Sequence, residues 1–152
     1  MLKNFEEQFI HYCKSVNFET NQNQIEVIKK LQNYFEKNFK SSFLKFFSKE
    51  FNKKSFYLYG DVGVGKTMIL NFFFNMIKEK KKRLHFNEFM LNFHDFVHKK
   101  KDKKEENIIN LFVKDLKEKT SLIYFDEFQV TNIVDAMILG KLFDNIFKEN
   151  IK

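Results

Sequence analysis

The sequence predicts an α/β fold, a parallel sheet between helices, and three observations carry that prediction. After residue 54 short β-prone runs alternate with helical segments, an order that implies a parallel sheet covered on both faces. Three of the chain's four glycines fall within one octapeptide, between the first such run and a helix. A later apolar run ends on two consecutive carboxylates, Asp126 and Glu127.

Taken in order, residues 1–15 and 22–38 read as amphipathic helices. In the second, Ile25, Ile28, Leu31 and Phe35 fall at three- and four-residue intervals along one face. Residues 43–51 are a further apolar-rich stretch, read as helix ending near Asn52. Residues 55–59 (SFYLY) have strand propensity and stop at Gly60. Residues 66–82 follow as helix, apolar on most sides through Phe74, as suits a helix beside a buried sheet. Residues 83–87 (RLHFN) are predicted as the second strand, 88–98 as helix, 99–106 as a charged loop and 108–119 as helix. Residues 121–125 (SLIYF) form the third strand, and 131–148 a helix with Thr131 as its N-cap. This divides the chain into an N-terminal helical extension over residues 1–52 and a core over residues 53–152.

With 152 residues, 43% of them hydrophobic, the chain suits one domain, and a domain of this size buries about 68–70% of its unfolded surface. No apolar run is long enough to span a bilayer. Glu6 and Glu7 interrupt what would have to be the apolar stretch of a secretory signal. Cys13 is the lone cysteine, which excludes an internal disulfide or a cysteine zinc cage and fits a reducing compartment. A cytoplasmic location is the expectation. The net charge of +7 comes from 27 Lys and Arg against 20 acidic residues, and Arg83 is the only arginine. Enrichment in Lys, Asn, Ile and Phe, with no Pro, points to a compositional bias, so the charge argues little for a nucleic-acid partner.

Gly60-Asp61-Val62-Gly63-Val64-Gly65-Lys66-Thr67 matches G-x-x-x-x-G-K-[ST] in full. The chemistry requires those residue types at that spacing. Glycines let the backbone turn tightly and aim successive N–H groups inward, making an anion nest. The following helix adds unpaired N–H groups and the positive end of its dipole. Lys66 would reach the β- and γ-phosphates of a nucleotide, and Thr67 would offer its hydroxyl to Mg²⁺. The candidate nucleotide-binding residues are these eight and Met68, the next residue of the helix. An ordinary glycine turn would not gather three of four glycines here, with a strand before and a helix after.

Asp126 and Glu127 close an apolar strand, and in a parallel sheet the carboxyl end of a strand faces the ligand crevice. Asp126 is the candidate magnesium holder, through water, alongside Thr67. Glu127 is the candidate base for the water attacking the γ-phosphate, a role worth ~10²–10⁴ in rate. An Asp-Glu pair after an apolar run usually just ends a strand. Sixty residues beyond Lys66, with a helix-containing crossover between, it becomes specific, and Lys66 with Glu127 forms the candidate catalytic set for ATP hydrolysis.

Weaker signals are read conservatively. His94 and His98, four apart on one helix, are a candidate zinc pair without an evident third ligand, so a satisfied polar face is preferred. Lysine runs at residues 78–83 and 99–104 are read as solvated loop faces. The phenylalanine-rich stretches FLKFF and NFFFN are read as core or interface.

The segments SFYLYGDVGVGKTMILNFFF, RLHFNEFMLNFHDFVH and LIYFDEFQVTNIVDAMILGKLFDNIF resemble, in that order, the ZapE-like (AFG-type) family of AAA+ ATPases. HFNEFM and FDEFQVTNIVDAMIL are the most specific pieces. The likeness covers about residues 17–148 and starts near Asn21–Gln24, where the family has an Asp-x-x-Gln pattern. Departures are Asn87 for a usual His, Asn132 for a usual Asp, and a lysine-rich loop near residue 105. The resemblance implies an AAA+ P-loop fold, ATP binding by residues 60–67, magnesium at Thr67 and Asp126, and hydrolysis assisted by Glu127. It also implies protein partners, either division-ring components or quality-control substrates, and homo-oligomers of the full-length form. Relative to that family the chain is expected to be the N-terminal part, C-terminally truncated before the first sensor strand, the arginine finger and the second sensor region. The absent strand would lie between those at residues 55–59 and 121–125. Slow hydrolysis and marginal stability are the corresponding expectation, since an arginine finger is worth ~10³–10⁵ in turnover. A helicase-loader-like DNA-binding ATPase and a non-hydrolysing nucleotide-binding fragment are the competing readings.

Overall fold

The computed structural model describes residues 4–39, 53–100 and 105–152. The helix expected at residues 43–51 and residues 101–104 of the charged loop expected over 99–106 lie outside them; at the loop's two ends, Lys99 and residues 105–106 are helical. The chain forms two compact units, Met1–Ile77 and Lys78–Lys152.

In the first unit, α1 (Phe5–Ser15) opens on Asn4, whose side chain accepts the Glu6 N–H at 3.1 Å. Phe5, Phe9 and Cys13, four apart, are its buried stripe. The left-handed Asn17 (φ 55°) follows its end. Helix α2 (Gln22–Phe39) buries Ile25, Ile28, Leu31 and Phe35, the face expected from their spacing, and Tyr34 beside them. Helix α3 (Lys66–Met76) brings Phe72 and Phe73 against these two: Phe9 meets Phe72 edge-on at 5.1 Å between ring centres, and Phe5 meets Phe73 at 6.1 Å. Such pairs contribute about 0.5–1.5 kcal/mol beyond the area they bury. NFFFN is therefore core, as read; FLKFF lies outside the described residues.

Residues 55–59 form no strand, contrary to expectation. They keep the two-residue alternation of one, with Phe56 and Leu58 half-buried and Ser55, Tyr57 and Tyr59 exposed. Two side chains of α2 hold the segment's start: the Tyr34 hydroxyl donates to the Lys54 carbonyl (3.1 Å) and the Asn38 amide to that of Lys53 (3.1 Å). A strand is defined by a ladder, and among the described residues no strand pairs with this run.

In the second unit, β1 (Lys81–His85) and β2 (Leu122–Asp126) lie parallel, Lys81 opposite Leu122 and His85 opposite Asp126. Helices α4 (Phe86–Lys99) and α5 (Glu105–Lys119) occupy the crossover that parallel pairing requires, and α6 (Ile133–Lys148) follows β2. The core gathers Phe86, Phe89 and Phe93 of α4, Phe112 and Val113 of α5, and Leu142 and Ile146 of α6. Beyond α6 the chain returns to β2: Ile123 N–H donates to the Lys152 carbonyl (2.7 Å) and Lys152 N–H to that of Ser121 (3.0 Å). Thr120, fully buried just before β2, places its hydroxyl 2.8 Å from the Leu122 carbonyl and 3.0 Å from that of Lys80.

Several boundaries differ from the sequence reading. Helix α3 ends at Met76 rather than residue 82, because Ile77 turns extended and buried and Lys81 is committed to the ladder with Leu122. The second predicted strand shifts two residues earlier, and α4 begins at Phe86, whose ring is buried in the core. No Gly or Pro marks that junction in the sequence. Asn132, not Thr131, caps α6, accepting the Val134 N–H at 2.8 Å.

Candidate functional site

The predicted site residues fall in both units: Gly60 through Met68 in the first, Asp126 and Glu127 in the second.

In the loop, Gly63 and Gly65 sit at φ 85° and 86°, a region that costs a residue with a β-carbon ~1–2 kcal/mol. Gly65 is the N-cap of α3 and brings no side chain to its opening turn. At Gly63 nothing lies within 4 Å of where a Cβ would stand, and Val62 is 98% exposed at the tip. The Lys66 ammonium folds back onto its own loop, donating to the carbonyls of Gly60 (2.9 Å) and Asp61 (2.5 Å). Thr67 is exposed and Met68 half-buried in the first turn of α3. An open loop with left-handed glycines, a helix start that no cap side chain occupies and a lysine inside the turn are a donor set that fits a polyphosphate.

Behind this loop stands Gln24. Its side chain and that of Asn21 form a reciprocal cap at the start of α2, Gln24 N–H donating to Asn21 Oδ1 (2.9 Å) and Asn21 N–H to Gln24 Oε1 (3.2 Å). The same side chain donates from Nε2 to the Val64 carbonyl at 3.2 Å.

In the second unit Asp126 ends β2, and its carboxylate is held by the Arg83 guanidinium on β1. Tyr124 places its hydroxyl 3.4 Å from the other carboxylate oxygen, and Arg83 lies 5.3 Å over the Tyr124 ring. Strand periodicity explains the grouping: residues two apart share a face, and Arg83 stands opposite Tyr124 as His85 stands opposite Asp126. Partial burial works against ionising Asp126. The Arg83 hydrogen bond and charge, helped by Tyr124 and His85, outweigh it, and the carboxyl titrates below its usual range. Burial, with the Asp126 charge second, pushes the Tyr124 hydroxyl up to about 12. Glu127 is exposed and left-handed (φ 53°), where the chain leaves β2, and His85 Nδ1 lies 4.0 Å from its carboxylate. A non-glycine residue in that conformation stores strain of a kind that clusters at functional sites.

The candidate zinc pair does not form a metal site. His94 Nε2 instead pairs with Asp135 of α6 at 2.7 Å, and among the described residues no cluster of three or more His, Cys, Asp or Glu could hold a metal.

Sequence reasoning missed the Arg83–Asp126 pair, which depends on the β1–β2 register and has no local signature. It noted Gln24 only within the family likeness at Asn21–Gln24 and missed its contact with Val64 and its capping role, although the Asn-x-x-Gln spacing before a helical run signals the latter.

A glycine loop opening a helix, and a parallel strand ending in Asp-Glu, are the parts from which nucleotide-hydrolysing α/β proteins are made. The chain belongs to the AFG1-like ATPase family, whose sequence profile matches residues 5–152, and hence to the AAA+ ATPases. It is 41% identical over 111 residues to lactation elevated protein 1 homolog B of Danio rerio, covering 66% of this chain and 22% of that protein. It is 34% identical over 99 residues to the cell division protein ZapE of Escherichia coli, covering 64% of this chain and 26% of ZapE. The chain thus spans about a quarter of the length of the curated relatives it matches. No solved structure matches it significantly. No described helix is long and apolar enough to cross a membrane.

Proposed function

We propose that this chain binds Mg-ATP through Gly60–Thr67 and Met68, and that it is the nucleotide-handling part of an ATPase that works on protein partners. Within that reading residues 1–52 are a helical extension of an ATPase core starting at residue 53. Lys66 would exchange the Gly60 and Asp61 carbonyls for phosphate oxygens. Thr67 would offer its hydroxyl to magnesium, and Asp126 would hold the same ion through water. Glu127, exposed beyond the end of β2, would take a proton from the attacking water. Magnesium, when bound, neutralises charge on the phosphate oxygens. The name of ZapE suggests a role in cell division for the whole protein, and the family resemblance suggests homo-oligomers.

The observation that carries this reading is the loop: two left-handed glycines and an inward lysine opening α3. Titrating Mg-ATP into wild-type, Lys66→Ala and Glu127→Gln protein, beside a phosphate-release assay, tests it. Lys66→Ala should lose binding, and Glu127→Gln should keep binding but lose turnover. Equal affinity in wild type and Lys66→Ala would remove the loop from the account.

A further inference from the structure

We infer that Gln24 is a positioning residue for the phosphate loop, its amide fixing the backbone at Val64 and Gly65 in the shape that receives a polyphosphate. The inference rests on reading residues 60–67 as the phosphate cradle. Three observations within the first unit support it.

First, Gln24 is 40 residues from Val64 in sequence, yet its Nε2 donates to that carbonyl at 3.2 Å. Donating there turns the Val64 carbonyl onto Gln24, and the Val64–Gly65 peptide carries its N–H on the opposite side. One peptide plane of the loop is thereby fixed by a side chain from another element. Second, the amide packs directly on the loop: a Cβ built on Gly65 would come within 2.9 Å of Gln24 Nε2. The third observation concerns the side chain's other end. Gln24 Oε1 accepts the Asn21 N–H (3.2 Å) while Gln24 N–H donates to Asn21 Oδ1 (2.9 Å), so the cap of α2 orients the amide before any ligand arrives. A polyphosphate would then meet a loop already in its bound shape, and ordering cost is what preorganisation removes from affinity.

The test uses the 152-residue chain and two substitutions that share one loss. Gln24→Glu keeps the oxygen that caps Asn21 but replaces the donor to Val64 with an acceptor and adds a charge. Gln24→Met keeps the length, adds no charge and loses both the donor and the cap. Only loss of the donor is common to the two. Tripolyphosphate, ATP and adenosine are the probes, their affinities read by calorimetry, with far-UV circular dichroism and the ligand-free melting midpoint as fold controls. The expected result is tripolyphosphate and ATP affinity reduced about 2- to 12-fold by Gln24→Met, the worth of one hydrogen bond. Gln24→Glu should lose more, through its charge, and adenosine affinity should not respond to either variant. Were Gln24 only a helix cap, Gln24→Met would melt earlier yet bind tripolyphosphate as wild type does, and the inference would be overturned. Lys66→Ala separates the two levels of the argument. Wild-type binding that Lys66→Ala abolishes and both Gln24 variants leave unchanged refutes the role of Gln24 alone; wild-type protein that fails to bind tripolyphosphate refutes the cradle and the inference together.

Discussion

Replacing Gly65 by alanine perturbs the loop in two separable ways, and the structure sizes both. At φ 86° the added β-carbon costs ~1–2 kcal/mol in backbone strain. It would also stand 2.9 Å from Gln24 Nε2, closer than real β-carbons come to another heavy atom. The amide has to move, and its bond to the Val64 carbonyl, worth about 0.5–1.5 kcal/mol, is lost with it. The sum is about 1.5–3.5 kcal/mol of destabilisation. A double-mutant cycle separates the parts. In a Gln24→Ala background no amide remains to be displaced, so Gly65→Ala should cost only the backbone part. The coupling energy should therefore be about 0.5–1.5 kcal/mol, read from urea denaturation followed by circular dichroism. Strictly additive costs would show that Gln24 and Gly65 do not touch, and an unchanged midpoint for Gly65→Ala would refute the left-handed conformation as well.

Arg83→Gln should remove the cation that Asp126 holds. Side chains at this partly exposed pair contribute only ~0.2–1 kcal/mol to stability, so the clearer effect is on pH dependence. The folded Asp126 carboxyl lies below its usual value; its contribution is therefore complete above about pH 4 and fades as pH falls through the folded value. Acid titration of stability should show that loss in wild type and a shallower one in Arg83→Gln, and matching curves would count against the pair. On the proposed reading of Asp126, Arg83→Gln should also tighten Mn²⁺ binding, by up to about fivefold, as removal of a competing charge of that worth predicts; weaker binding would make Arg83 a support for the ion instead. Thr120→Val keeps the volume but strips a buried hydroxyl from the Leu122 carbonyl, while the Lys80 carbonyl keeps the Ser121 N–H, and should cost about 1–3 kcal/mol in chemical denaturation. A cost within error of zero would mean the Leu122 carbonyl is satisfied without it.

The sequence by itself determined the pieces whose signals are local. Heptad-like spacing placed α2 on the right residues, since burying one stripe requires that spacing wherever the helix packs. The octapeptide announced a tight turn opening a helix because only glycine enters such conformations cheaply, and the run ending at Asp126 announced a parallel strand. Tertiary structure decided whatever depends on a partner distant in the chain. The SFYLY run has the composition and alternation of a strand, yet a strand exists only through its neighbour, and no described strand supplies one. The start of β1, the end of α3 and the Arg83–Asp126 pair all follow from the register of Lys81 on Leu122. Gln24 meets Val64 across 40 residues for the same reason: hydrogen bonds act over about 3 Å of space, and the spacing of residues along a chain does not report which distant atoms come that close.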